Sequence, residues 1–102
     1  MIRSMAILQA ARGHECTMNR PACNHDPETT VAAHSNWQMH GKGMGCKADD
    51  LFVAFACSSC HFWLDASGAD KDERLWYWYR GHAKTLVSLV ERGIIKIEGY
   101  EP

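Results

Sequence analysis

The sequence predicts a small α+β domain, one unit spanning residues 1–102. Three observations carry that expectation. The stretch from Leu51 to Asp65 runs from a short apolar segment (Leu51 to Ala56) through Cys57-Ser58-Ser59-Cys60-His61 into Phe62-Trp63-Leu64. That order reads as strand, sharp corner, helix. Later, apolar residues recur at helical spacing from Lys71 to Arg92, so a second and longer helix follows. Finally, a chain of 102 residues that is 46% apolar is long enough for one core, yet near the size where a core alone gives modest stability.

The cysteines supply the missing stabilisation. There are five, Cys16, Cys23, Cys46, Cys57 and Cys60. An odd count without a secretory leader argues against a disulfide framework and for metal or redox chemistry. Four of them form two local pairs, Cys16 with Cys23 and Cys57 with Cys60. Zinc takes four soft ligands in a tetrahedron, usually from two loops of two, so a structural Zn²⁺ is expected on Cys16, Cys23, Cys57 and Cys60. Buried thiols are the plain alternative. A thioredoxin-like Cys-x-x-Cys needs a βαβ context that the chain does not offer. Cys46 is then a spare thiol. His14 and His25, otherwise surface residues, are near enough in sequence to replace a cysteine at the zinc.

Taken in order, Met1 to Arg12 admits a short helix or a leading strand. Gly13 to Asn24 carries the first cysteine pair, with turn chemistry at Asn19 and Pro21. Asp26-Pro27-Glu28 is a loop, and Thr29 to His34 is β-branched and predicts a strand ending on His34. Ser35 to Asp50 holds three glycines and no periodicity, so it is a loop long enough to carry function. The strand Leu51–Ala56 and the corner follow. Ala66 to Asp70 breaks the helix, and Asp70 with Glu73 forms a capping signal for the next one, over about residues 71–92. Leu75, Trp76, Tyr79, Ala83, Leu86, Val87 and Val90 make its apolar stripe, which puts Trp76 and Tyr79 in the core. Trp78 falls off that stripe and is assigned to a packing or dimer contact, which admits a homodimer. Gly93 is placed as the C-terminal cap, and Ile94 to Ile97 as a terminal strand or a packed extended tail.

Charge and hydropathy limit the partners. The formal net charge of −1 means that no global basic field announces a nucleic acid, although a local patch serves the same end. Lys42 and Lys47, in the glycine-rich loop, are the candidates for phosphate contacts; a solvated loop is the alternative. No apolar run approaches the ~20 residues of a membrane span. The first residues lack signal-peptide character. A cytoplasmic protein with no membrane partner is expected.

Two histidines concentrate the chemistry. His34 ends a strand, and His61 opens a helix directly after the cysteine pair. If the two strands pair as a hairpin and the helix folds back over them, both imidazoles face one cleft. That is the arrangement of a ββα-metal unit, in which one histidine activates water and another helps to hold a divalent cation on a scissile phosphate.

The residues Val31-Ala32-Ala33-His34 and Asp50 to His61 resemble an HNH endonuclease with its ββα-metal motif and zinc-binding cysteines. More closely, Ala10-Ala11-Arg12-Gly13, Glu15-Cys16, Cys23-Asn24, Pro27-Glu28-Thr29, Ala33-His34, Asp50-Leu51 and Ala56-Cys57-Ser58 with Cys60-His61 resemble the YbcO-like family, small phage- and prophage-encoded proteins regarded as nucleases. The resemblance covers about residues 10–65, the zinc-stapled core, with a weaker echo in the last helix. It implies a metal-dependent endonuclease acting on DNA in phage-derived processing or recombination. His34 would be the general base, Asp50 the middle residue that orients it, and His61 a ligand to a catalytic Mg²⁺ or other divalent cation. Asp65, one helical turn beyond His61, lies on the same helix face and would complete that shell. Two features depart from the pattern. Ala33 stands where many such nucleases carry a second metal ligand, and the interval from Asp50 to His61 is slightly long. These departures and the net charge favour a second reading, a zinc-stabilised DNA- or protein-binding module without catalysis.

Overall fold

A computed structural model describes residues 1–102. It shows a small α+β fold built on a two-stranded antiparallel sheet, β1 (Val31–His34) and β2 (Val53–Ala56), in which His34 stands opposite Val53 and Val31 opposite Ala56. Helix α1 (Met5–Gln9) precedes the sheet, α2 (Ser58–Ala66) follows β2 directly, and α3 (Lys71–Glu91) closes the chain order. No helix is long and apolar enough to cross a membrane.

Local chemistry sets most boundaries. Of the two readings of the first residues the helix is realised, started by Ser4, whose hydroxyl accepts from the Ile7 amide. β1 begins two residues later than expected because Pro27–Thr29 form a single 3-10 turn, capped by the Asp26 side chain. β2 begins at Val53, since Leu51 and Phe52 still belong to the turn opened by Asp49. α2 begins earlier than Phe62: Cys57 is its N-cap, and the Cys57 sulfur accepts from the Cys60 amide. The Asp70 carboxylate accepts from the Glu73 amide and starts α3 as expected. At the far end Gly93 adopts φ +74°, and the Ile94 and Gly93 amides donate back to the carbonyls of Leu89 and Val90. That paired closure requires a residue tolerant of the left-handed region, which glycine is. Ile94 to Ile97 form no strand; Ile94 and Ile95 instead pack against the core as a tail.

The two faces of β2 are covered separately. Val53 and Phe55 pack with Ile7, Ala10 and Ala11 of the α1 region and with Leu89. Ala54 and Ala56 face Met18, Cys57, Cys60, Leu64 and Trp78, together with Ala33 of β1. The free edge of β2 pairs with no third strand. The Phe55 amide donates to the hydroxyls of Thr17 and Thr85, the Phe55 carbonyl accepts from Thr17, and the Val53 carbonyl accepts from Nδ1 of His82. Side chains thus satisfy an edge that would otherwise invite another strand.

This edge explains the main correction to the sequence reading. α3 does not bury the expected stripe. Trp76, Tyr79 and Val87 are 57%, 41% and 57% exposed, whereas the buried residues are Trp78, Gly81, His82, Thr85 and Leu89. The helix lies against the polar free edge of β2, close to Ala54, so the face it turns inward is the one that can come near and hydrogen-bond. A Cβ on Gly81 would lie 2.8 Å from Cγ of Met18 and 3.1 Å from Cβ of Ala54. Trp78 is fully buried and donates from Nε1 to the Ala33 carbonyl at 3.1 Å. Of the two roles assigned to Trp78 from the sequence, packing is the one it takes.

Candidate functional site

Two clusters of chemically capable side chains flank the sheet. In the first, the sulfurs of Cys16, Cys23, Cys57 and Cys60 all lie within 4.8 Å of one another. Cys57 and Cys60 come from the start of α2, and Cys16 and Cys23 from the loop ahead of β1, so two separate segments each give two ligands. Tetrahedral zinc at about 2.3 Å from each sulfur sets its ligands about 3.8 Å apart; Sγ of Cys23 and Cys57 are 3.6 Å apart. Backbone amides of Asn19, His25 and Cys60 point at the sulfurs of Cys16, Cys23 and Cys57, each at 3.4 Å, which favours thiolates. The thiols also perturb one another. A hydrogen bond from Cys60 lowers Cys16 to about 4, burial raises Cys23 to about 11, and donation to Cys16 raises Cys60. A cation among the four sulfurs would favour their thiolate forms. They can hold a metal such as zinc. Cys46 stands apart from them, half-buried beside Met1 and Arg3.

The second cluster lies across a cleft of about 450 Å³ whose walls include His34, His61, Asp65, Lys42 and Lys47. The last residue of β1 supplies His34, and α2 supplies His61 and Asp65. His34 Nε2 is 2.7 Å from Asp50 Oδ1, and Asp50 is 3% exposed, behind the histidine rather than on the cleft wall. Burial opposes the charge on Asp50, but hydrogen bonds from His34, the Ser4 amide and Arg3 outweigh it and hold the carboxyl below its usual range. Opposite, Nε2 of His61 is 3.0 Å from Oδ2 of Asp65, and Asn36 donates to Oδ1 of the same carboxylate at 2.7 Å. The bond from Asp65 raises the His61 pKa, and the same bond lowers that of Asp65.

All five cleft residues expected from the sequence therefore meet at one place, with Asp50 one layer behind. His34 and His61 do not pair with each other; each has its own carboxylate. Ala33 is 1% exposed, packed into the core on the opposite side of β1 from His34. Arg12, at the end of the first helical segment, and Asn36 also line the cleft and escaped the sequence reading. Asn36 had a signal, two residues beyond a candidate base, whereas Arg12 reaches the cleft only through the fold.

Comparison with known proteins identifies the family. A sequence model of the family described as "Putative nuclease YbcO" matches residues 5–94. The chain is 38% identical over 98 residues to the "Putative nuclease YbcO" of Escherichia coli (strain K12), covering 88% of this chain and 96% of that protein. It matches the "Putative nuclease ybcO" of Enterobacteria phage 82 to the same extent. Among solved structures, "Structure of a putative bacteriophage protein from Escherichia coli str. K-12 substr. MG1655" aligns with a TM-score of 0.67 and 33% identity, over 85% of this chain and 99% of that one. This chain belongs to the family described as "Putative nuclease YbcO".

Proposed function

We propose that the cleft is the active site of a metal-dependent endonuclease that hydrolyses DNA phosphodiester bonds, with β1, β2 and α2 as a ββα-metal unit of HNH type and the four cysteines holding a structural Zn²⁺. The observation that carries this reading is the pairing of His34 with buried Asp50 and of His61 with Asp65 on facing walls of one cleft.

The geometry divides the labour. A carboxylate only accepts hydrogen bonds, so the Nε2 of His34 that meets Asp50 carries the proton. Nδ1 is left with its lone pair, and His34 serves as general base toward a water in the cleft. Asp50 keeps that tautomer and stabilises the imidazolium once the proton has moved. His61 and Asp65 would hold a divalent cation such as Mg²⁺, which would take the place of the proton now lying between Nε2 of His61 and Oδ2 of Asp65. Their donor atoms are 3.0 Å apart, and adjacent octahedral positions at about 2.1 Å are separated by about 3.0 Å. When bound, the cation would neutralise charge developing on the phosphoryl oxygens. With Ala33 turned into the core, Asp65 takes the role of the second ligand. Lys42, Lys47 and Arg12 hold flanking phosphates without reading sequence. A phage-derived role in DNA processing or recombination, carried out in the cytoplasm, fits this chemistry and the phage 82 relative.

The alternative is a zinc-stabilised DNA- or protein-binding module. The cysteine cluster is the one place where three or more metal-ligating side chains converge, so the cleft offers a cation only two. The test is an assay of the purified protein on supercoiled plasmid and on branched DNA with Mg²⁺ or Mn²⁺, beside His34→Ala. Cleavage by the native chain alone is the expected result. If both proteins leave every substrate intact, the binding module is the better reading.

A further inference from the structure

Asp50 is held from a direction that the chemistry of the cleft does not require. The segment Ile2–Ser4, ahead of α1, lies along the turn Ala48–Asp50 and bonds to it in both directions. The Asp50 amide donates to the Ile2 carbonyl at 3.0 Å, and the Ile2 amide donates to the Asp49 carboxylate at 3.0 Å. The Ser4 amide donates to Asp50 Oδ2 at 2.8 Å. The Arg3 guanidinium donates to Asp50 Oδ1 at 3.2 Å, to the Ala48 carbonyl at 2.7 Å and to the Lys47 carbonyl at 3.1 Å. Both oxygens of a buried carboxylate are therefore occupied by this one segment, and Oδ1 also receives His34.

We infer that Ile2–Ser4 is a positioning strap for the cleft, with Arg3 as its principal side chain. By fixing the Asp50 carboxylate it fixes the tautomer and ring orientation of His34, and by gripping the Lys47 backbone it sets the edge of the cleft. Arg3 is a positioning residue, since it touches neither the cleft nor a reacting atom. The catalytic meaning of the strap rests on the nuclease reading above, but its structural claim does not.

The Arg3 side chain is 45% exposed, and without it the buried Asp50 carboxylate keeps the Ser4 amide and His34 as hydrogen-bond donors. The inference therefore predicts a substitution that leaves the fold intact and disturbs a single histidine. The groups facing His34 are Asp50 and, across the cleft, His61, Asp65, Lys42, Lys47 and Arg12. None of them is changed in Arg3→Ala.

The experiment is ¹⁵N NMR of the histidine rings in the intact zinc-loaded chain, comparing native protein, Arg3→Ala and Arg3→Lys. The native His34 should show a single tautomer protonated on Nε2 with a slowly exchanging ring proton. Arg3→Ala should mix the tautomers and speed that exchange, while amide spectra away from residues 1–5, 34 and 46–50 stay unchanged, and Arg3→Lys should restore much of the native signal. On DNA, Arg3→Ala should lower kcat about tenfold with KM nearly unchanged, the size of effect a small misplacement of a catalytic group produces. A folded Arg3→Ala whose His34 signals match those of the native protein overturns the inference. The ring signals need no substrate, so failure of the nuclease reading in the cleavage assay and failure of the strap are separate results.

Discussion

The two sites of this chain sit on either side of one short sheet and are built in opposite ways. In the cysteine cluster all four ligands come together, three of them buried, and nothing is left over for a substrate. In the cleft the histidines stand apart, each tied to a carboxylate, and His61 and Asp65 keep 40% and 45% of their side-chain surface exposed. A structural metal site is closed and a catalytic one keeps positions open. On the proposed reading, substitutions in the first cluster should cost the fold, and substitutions in the second should cost only chemistry.

The largest effect expected is at the cluster. Elemental analysis should find one zinc per native chain, and Cys57→Ser should lose it together with cooperative unfolding, because binding energy on the order of 10 kcal/mol is folding energy at such sites. A Cys57→Ser protein that melts like the native one would break the comparison at its root. Next comes the core that joins the two sites. Trp78 stacks on His82 at 4.8 Å and on His40 at 5.0 Å, so Trp78→Ala should cost about 3–5 kcal/mol in denaturant unfolding. Trp76→Ala, on the exposed face of the same helix, should cost within about 0.5 kcal/mol.

A smaller and pH-dependent loss should come from His40 and His82. Burial lowers both below the ordinary value of 6.5, helped at His40 by the charge that His82 would carry. Below pH 6.5 the unfolded chain takes up these protons and the folded chain does not, so stability present above that pH should fall as the pH drops toward the folded-state values. Melting curves from pH 7.5 to 5 check the sign; a melting temperature that rises on acidification would contradict it. Least of all should Asp65→Asn disturb the fold. Its exposed pair with His61 should contribute within about 0.5 kcal/mol, while cleavage of DNA should drop by an order of magnitude or more. If Asp65→Asn unfolds the chain instead, the division between the two sites is wrong.

Legibility followed how local each signal was. The Cys57-x-x-Cys60 corner, the capping of α3 by Asp70 and the closure at Gly93 are set by neighbours in sequence, and they stand where the residues indicated. His34, His61, Asp65, Lys42 and Lys47 were all named from the sequence and all reach one cleft. The failure was the face of α3. Periodicity ranks residues by hydrophobicity, and on that scale Trp76, Tyr79 and Val87 outrank Gly81, His82 and Thr85.

By itself, then, the sequence indicated the family, the order strand–corner–helix–long helix and the two cysteine pairs that meet in one cluster, because each depends on residue identity and close spacing. Only the tertiary structure decided which side of α3 is inside and that Arg3 and Ser4 reach Asp50. Those outcomes depend on the shape and unpaired hydrogen-bonding groups of a partner surface assembled from distant segments. The free edge of β2 selected Gly81, His82 and Thr85 because they let the helix come close and satisfy it.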